Sequence, residues 1–365
     1  MADDDLYLTV GDQVVTGWTE IRVTRGIERL PSDFDIGLTE LYPGELTRLV
    51  IEPGMSCEAR LGDDVVISGY IDNFIPSMSR SSHSIRVTGR SKCADLIDCA
   101  AEWPGGQISN ANILGVATKL GQVYGPAGAS GQPVGIPVSS DVPDLVILPQ
   151  TNVMLGESAF EIIDRLARFS AVLAYDLPDG SLFLTRVGSQ KAASGFREGD
   201  NVEEASVRYS ADQCYSTYSA FIQSADTLMD LGASGNLIGT ATDPNVKRHR
   251  GLIIISEGGG LGNDIAVLRA KWEAARRRGR SRVVHLVTDS WRDAAGALWQ
   301  PNTLVPVSLP RLKLESEGLL ISEVTFQRDA YRGTTAALTL MAPEAFAPQP
   351  INLTPLWGDV SQVAQ

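Results

Sequence analysis

The sequence predicts a β-rich α+β protein with two β-barrel domains near the ends of the chain. Small α/β domains lie between them, and a Pro-rich tail closes the C-terminus. Three observations carry this reading. Alternating apolar runs of strand length, punctuated by Gly and Asp, fill the first ninety residues and return between residues 282 and 341. Helical periodicity is confined to short stretches between those sections. From Ala342, Pro343, Pro348, Pro350 and Pro355 exclude a regular element.

In the first section, Leu6–Val10 and Gln13–Val15 flank Gly11-Asp12, and Glu20–Arg25 and Asp33–Thr39 alternate. Cys57–Leu61 and Val65–Asp72 flank Gly62-Asp63-Asp64, and His83–Thr88 completes the set. Strands at this spacing predict a barrel or sandwich over residues 1–91. An α/β domain follows over 92–199. Lys92–Ala101 predicts a short helix with Ala94, Ile97 and Ala101 as its stripe, and Asn112–Leu120 a second. Gly121–Pro149 is a long Gly/Pro-rich excursion in which Val134, Ile136 and Val138 alternate. A loop of that length is functional or lies over another surface.

The clearest local unit runs from Leu155 to Val187. Ser158 with Glu161 fits a capping box, and Ala159, Ile162, Ile163, Leu166 and Ser170 recur at helical spacing. Val172–Tyr175, the turn Leu177-Pro178-Asp179-Gly180 and Leu182–Thr185 then predict a hairpin. The second barrel is assigned to 200–245 and 281–341, with strands at Asn201–Arg208, Thr217–Gln223, Arg282–Thr288, Thr303–Leu309, Leu319–Gln327 and Thr335–Met341. Ala225–Asn245 predicts a mobile loop. Residues 246–280 form an insertion, the run Leu252–Ser256 followed by a helix from Asn263 to Arg278 with Ile265, Leu268, Trp272 and Ala275 buried and Gly279 at C′. The tail, 342–365, carries Ile351, Leu353, Leu356 and Trp357, spaced along an extended segment as anchors for a partner.

Composition narrows the function. The chain has 365 residues, 43% of them hydrophobic, enough for about two to four domains. No apolar run approaches a membrane span, and the acidic start MADDDLYLTV is unlike a signal peptide, so synthesis in a cytosol without membrane insertion is expected. A net charge of −13 argues against a protein that grips nucleic acid over most of its surface. Cys57, Cys93, Cys99 and Cys214 fall in no metal spacing and are expected to be buried free thiols.

The candidate chemistry is thin. Gly258–Gly262 sits where a phosphate loop would, but Asn263 breaks the dinucleotide pattern and no Gly-Lys-Ser/Thr follows. Arg276, Arg277, Arg278 and Arg280 invite a nucleic-acid reading. The pairs Arg269–Glu273 and Glu273–Arg277 and the helix dipole explain most of the cluster, leaving a contact with an acidic partner as the functional alternative. His83, His249 and His285 have neither metal spacing nor a nucleophile beside them. Neither an active site nor a cofactor is expected.

Several stretches in order resemble the baseplate hub family of Mu-type contractile phages, tail protein P. They are Val87–Asp98, Gly156–Arg168 with Asp179-Gly180, Val246–Arg250, Arg269–Arg278, Trp291-Arg292-Asp293, Leu298–Val307 and Leu320–Val324. T-even phage hubs and the N-terminal part of VgrG proteins are related in kind. The resemblance implies two barrels and α/β domains per chain, a homotrimer whose six barrels form a pseudo-sixfold ring, and no catalytic residues. Its implied partners are the tail tube or a tube-initiating protein, a central spike and other baseplate proteins. DNA would pass through without specific binding. The chain ends at Gln365 without spike repeats, which suggests a hub alone, sited in the virion baseplate and made in the bacterial cytoplasm. The alternatives are a hub of a type VI secretion or other contractile injection apparatus, and a DNA-binding protein centred on Arg276–Arg280.

Overall fold

The computed structural model describes residues 5–39, 51–80, 83–128, 131–188, 190–223, 236–257 and 263–349. The first section forms seven strands: β1 (Leu6–Val10), β2 (Gln13–Val15), β3 (Glu20–Gly26), β4 (Asp33–Thr39), β5 (Ser56–Leu61), β6 (Asp64–Met78) and β7 (His83–Ser91). Alternate residues turn inward, as the period of two requires. Thus Leu6, Leu8 and Val10 are buried on β1, and Phe34 and Ile36 on β4. β6 runs well past the expected Val65–Asp72 because β7 pairs with it as far as Met78↔His83.

The α/β unit comprises α1 (Ala94–Asp98), β8 (Gln107–Ala111), α2 (Ile113–Gly121), β9 (Val138–Ser140), β10 (Leu148–Asn152), α3 (Ala159–Phe169), β11 (Leu173–Asp176) and β12 (Leu182–Thr185). The capping box at α3 is present: Ser158 N donates to Glu161 Oε2 at 2.7 Å and Glu161 N to Ser158 Oγ at 3.2 Å. Ala159, Ile162, Ile163 and Leu166 are buried as expected, but Ala167 replaces Ser170 as the last buried position. α1 is shorter than expected and buries Ala94 and Leu96, leaving Ile97 only half-buried. The excursion 121–149 covers its own domain, with Tyr124, Ile136, Val142 and Leu148 joining the core beneath α2 and α3.

The second half adds β13 (Phe196–Arg197), β14 (Glu204–Tyr209), β15 (Thr217–Gln223), β16 (Asn236–Thr242), β17 (Gly251–Glu257), α4 (Asn263–Arg280), β18 (Arg282–Thr288), β19 (Leu304–Leu309), β20 (Leu314–Asp329) and β21 (Gly333–Met341). Part of the expected loop Ala225–Asn245 is strand: β16 pairs with β15 from Thr217↔Thr242 to Gln223↔Asn236. Residues 225–235 of that loop, and Gly258–Gly262, lie outside the described residues. α4 packs on the β16-β15-β17 sheet through Ala266 and Ala270, while Leu268 is exposed and Ala275 faces outward. The expected stripe is therefore wrong at Leu268 and Ala275, and the side chain of Ile265 lies outside the description. Close approach explains the alanines, since a Cβ on Gly239 would meet the Ala266 carbonyl carbon at 2.2 Å. Gly279 is not C′ either. The helix continues to Arg280, and Gly279 admits the 3-10 turn Pro343–Phe346, where a Cβ would fall 2.5 Å from Ala345 N.

One 13-stranded sheet joins both β-rich sections, in the order β14-β18-β21-β20-β3-β4-β7-β6-β5-β1-β2, with β19 and β13 continuing from β20. A single large core lies under it, from Leu6 and Ile67 to Trp291 and Leu340. The sheet contains a duplication. Strands β3-β4-β7-β6-β5-β1 and β14-β18-β21-β20-β19-β13 have the same spatial order and the same order along the chain.

The registers agree as well. Glu20↔Gly37, Gly37↔Arg86 and Arg86↔Ile75 correspond to Glu204↔Val287, Val287↔Ala337 and Ala337↔Thr325. The bulge at Ile71/Asn73 matches the one at Ile321/Glu323, and the irregularity at Ala59/Arg60 matches Val307/Leu309. Ile71 N donates to Met55 O at 3.0 Å just as Ile321 N donates to Thr303 O at 2.9 Å. The one departure is β13, parallel to β19 where β1 is antiparallel to β5.

Candidate interaction surfaces

The arginine cluster of α4 closes an internal junction. Arg276 pairs with Glu28, just after β3, at 3.2 Å and lies 5.4 Å from the Trp272 ring. Arg277 bonds Glu273 at 2.6 Å and Gln213 Oε1 at 2.7 Å, and stacks over Tyr215. Arg280 binds Glu28 and donates to Ala345 O at 3.2 Å. Arg278 is 60% exposed, with Asp243 at 3.8 Å. The expected i,i+4 pairs of Glu273 with Arg269 and Arg277 are both present. Three of the four guanidiniums are thus held closely within the chain, and Arg278 is the most exposed of the four. Trp272 Nε1 also donates to Ala347 O at 2.6 Å, which ties the segment beyond β21 to α4. Ile351, Leu353, Leu356 and Trp357 lie outside the described residues.

The α/β unit is clamped to the large sheet by buried polar contacts. Asp176 is 2% exposed and accepts from Ser32 N at 3.0 Å and Ser32 Oγ at 2.9 Å. Lys92 Nζ donates to Asp179 O at 3.0 Å, so the Pro-Asp-Gly turn seats on the end of β7. Gly180, at φ 79°, stands where a Cβ would lie 2.4 Å from Ser68 O. Asn302, left-handed at φ 63°, accepts from Gly188 N at 2.6 Å and donates to Arg186 O at 3.1 Å. Arg25 lies in the same junction. Burial lowers its pKa, and Asp176 supplies the largest opposing attraction.

The face of the sheet turned away from the core is polar and charge-paired. Arg22 lies 2.9 Å from Asp33 and 3.8 Å from Asp35, Arg29 lies 2.7 Å from Asp33, and Arg86 holds Asp35 through a two-pronged contact. The Arg86 hydrogen bonds hold the Asp35 carboxyl below the usual carboxylate range. Asp35 therefore contributes stability that is complete above the unfolded pKa near 3.9 and is lost as pH falls through its lower folded value. Asp35→Asn should flatten the part of the stability profile below about pH 4, measured as urea midpoint against pH. Sequence reasoning missed this face, although its signal, Arg and Asp at alternate positions of β3, β4 and β7, is visible once strand order is known.

Among the described residues, no group of three or more His, Cys, Asp and Glu side chains could hold a metal ion. His83 and His285 lie on strands and His249 in a loop, as expected. All four cysteines are free. Cys57, Cys93 and Cys214 are buried, but Cys99, expected to be buried, is exposed just past α1. Burial pushes the Cys57 thiol up to about 12. Alkylation of the native protein at pH 8 should label Cys99 alone, with the others reacting on unfolding; fast labelling of Cys57 would contradict this packing. No described helix is long and apolar enough to cross a membrane.

Comparison with known proteins adds a family. Residues 5–91 match the N-terminal domain described as Mu phage baseplate assembly protein GpP-like. Residues 93–186 match the second domain of baseplate hub protein gp44-like proteins, and 263–349 the fourth domain of Mu phage baseplate assembly protein GpP. The baseplate hub protein gp44 of Escherichia phage Mu is 30% identical over 351 residues, covering 93% of this chain and 88% of that protein. The 43 kDa tail protein of prophage MuSo2 from Shewanella oneidensis superposes with a TM-score of 0.82 at 31% identity, over 93% of this chain and 99% of that one. A tail protein from Neisseria meningitidis MC58, 18% identical, shares the fold at a TM-score of 0.76 over 95% of this chain and 99% of that one.

Proposed function

The chain belongs to the baseplate hub family of Mu-type phages, and from that premise we propose that three copies form a ring joining a sixfold tail tube to a threefold central spike. It is a baseplate hub protein of a Mu-like phage or prophage tail, and its place is the tail of the virion. The relationship to Mu gp44 along nearly the whole chain carries this conclusion. The finer reading draws on the duplication: two six-strand units of equal order, the candidate barrel domains, stand in each chain. Three chains supply six such units, which resolves the mismatch between a threefold and a sixfold partner. Other baseplate proteins complete the set of partners, and synthesis takes place in the host cytoplasm.

We read the role as structural and not catalytic. DNA leaving through the ring has to pass without sticking, since six to ten phosphate contacts would change affinity roughly 10³–10⁵-fold between about 50 and 200 mM salt. The outward face of β3, β4 and β7 offers little to such contacts, because the Arg22 and Arg86 guanidiniums already have carboxylates in Asp33 and Asp35. Light scattering behind a sizing column should give roughly three times 39.2 kDa, unchanged at high salt, where surface charge contacts are screened. A species of one chain at all concentrations would count against the ring.

A further inference from the structure

Among the described residues, the duplication leaves one strand position filled in one unit and empty in the other. β20 pairs with β19 along its first half and with β3 along its second, from Glu323↔Gly26 to Arg328↔Ile21. Its counterpart β6 pairs with β5 only over residues 64–70, and beyond the bulge the outer edge of Asn73–Met78 has no neighbour among the described residues. The counterpart of β3 is β14, which among the described residues pairs with β18 alone and ends the sheet. The described residues of one chain therefore carry an unpaired acceptor edge and an unpaired donor strand, at equivalent places in the two units. Edges of this kind are templates for strand addition.

Resting on the trimeric ring above, we propose that β14 of each subunit pairs antiparallel with the distal half of β6 of the next, in the register that β3 and β20 hold within a chain. Carrying that register across places Phe74 opposite Tyr209, Pro76 opposite Val207 and Met78 opposite Ala205. All six are apolar or aromatic and share the core face, as Phe326 and Val23 do in the filled site. The opposite face pairs Ser77 with Ser206 and Ile75 with Arg208. The pairing would cover three otherwise anomalous side chains, Ile75 at 46%, Met78 at 87% and Tyr209 at 52% exposure.

The backbone agrees. Ser210 N donates inward to Ser281 O at 2.7 Å, so by alternation Tyr209, Val207 and Ala205 turn their N–H and C=O groups to the open side. Ile27 N donates to Ser322 O at 2.9 Å, which by the same alternation turns Phe326 toward β3 and its counterpart Pro76 toward the vacant edge. A proline there leaves the β6–β7 ladder intact and withholds one donor from the partner, a common guard on an edge strand. The contact is heterologous, so three copies close it into a ring in which every one of the strands from β14 through β6 has two neighbours.

The test uses the full chain carrying Cys99→Ser, with Ser77→Cys and Ser206→Cys together, oxidised and run without reductant. The two positions form a non-hydrogen-bonded pair about 4.5 Å apart at Cα, within disulfide range. A covalent ladder ending at three chains is expected, with no ladder from either single variant. Asn73→Cys with Ser206→Cys, about 13 Å out of register along the strand, should stay uncrosslinked. Val207→Pro removes an outward-facing donor while sparing β14–β18, and should reduce the mass from three chains to one with the circular dichroism unchanged. A mass-verified trimer that shows no Ser77–Ser206 crosslink, or crosslinks equally out of register, overturns this pairing and leaves the hub reading standing. A single-chain mass in the parent protein overturns the ring and the pairing together.

Discussion

Replacing Asp176 with alanine is expected to cost about 3–5 kcal/mol, the range found when one member of a buried charged set is removed. Asp176 accepts from both Ser32 N and Ser32 Oγ, and is the largest attractive charge on buried Arg25. Arg25 Nη1 donates to Gln300 Oε1 at 3.0 Å, while among the described residues its Nε finds no acceptor. Without Asp176 a guanidinium that is 3% exposed faces the junction of three elements with little to offset its desolvation. Asp176→Asn keeps one oxygen for Ser32 and should cost visibly less. Urea midpoints of the two variants check the ordering, and an alanine variant as stable as the parent would refute the clamp.

Trp291→Ala is expected to cost a similar 3–5 kcal/mol, here through a cavity. Trp291 is fully buried, packs edge-on to Phe326 with centroids 6.3 Å apart, and donates from Nε1 to Gln327 O at 3.1 Å and Thr335 O at 2.9 Å. The ring thus supports the β20–β21 hairpin from beneath, where β20 meets β3. Truncation should lower the urea midpoint and weaken protection of β20 amides in hydrogen exchange. Trp103→Ala makes the comparison, because Trp103 is only half-buried beside Lys119 and should lose far less.

Much of the local structure was legible because its causes are local. The capping box at Ser158 and Glu161 involves two side chains three residues apart, and the Pro178-Asp179-Gly180 turn is set by backbone preference. Strands β1, β2, β4, β15 and β18 end where the alternation ends. α4 misled the reading because a helix laid close on a sheet selects small residues. Ala266 and Ala270 are buried there, while the larger Trp272 turns to Ala347. The pairing of Arg277 with Glu273 is legible at i,i+4, but that of Arg276 and Arg280 with Glu28 is not, because Glu28 is some 250 residues away and no spacing announces it.

By itself the sequence determined the β-rich class, the positions of most strands, the caps and the family resemblance. Each of these follows from neighbouring side chains or from their order along the chain. Tertiary structure alone decided that β3 lies against β20, that the two halves repeat one strand order and register, and that β6 and β14 keep open edges among the described residues. Strand pairing is made by backbone N–H and C=O groups, which nearly every residue carries alike. The counterpart strands β6 and β20 share few residues, yet they carry the same bulge at the same pairing position.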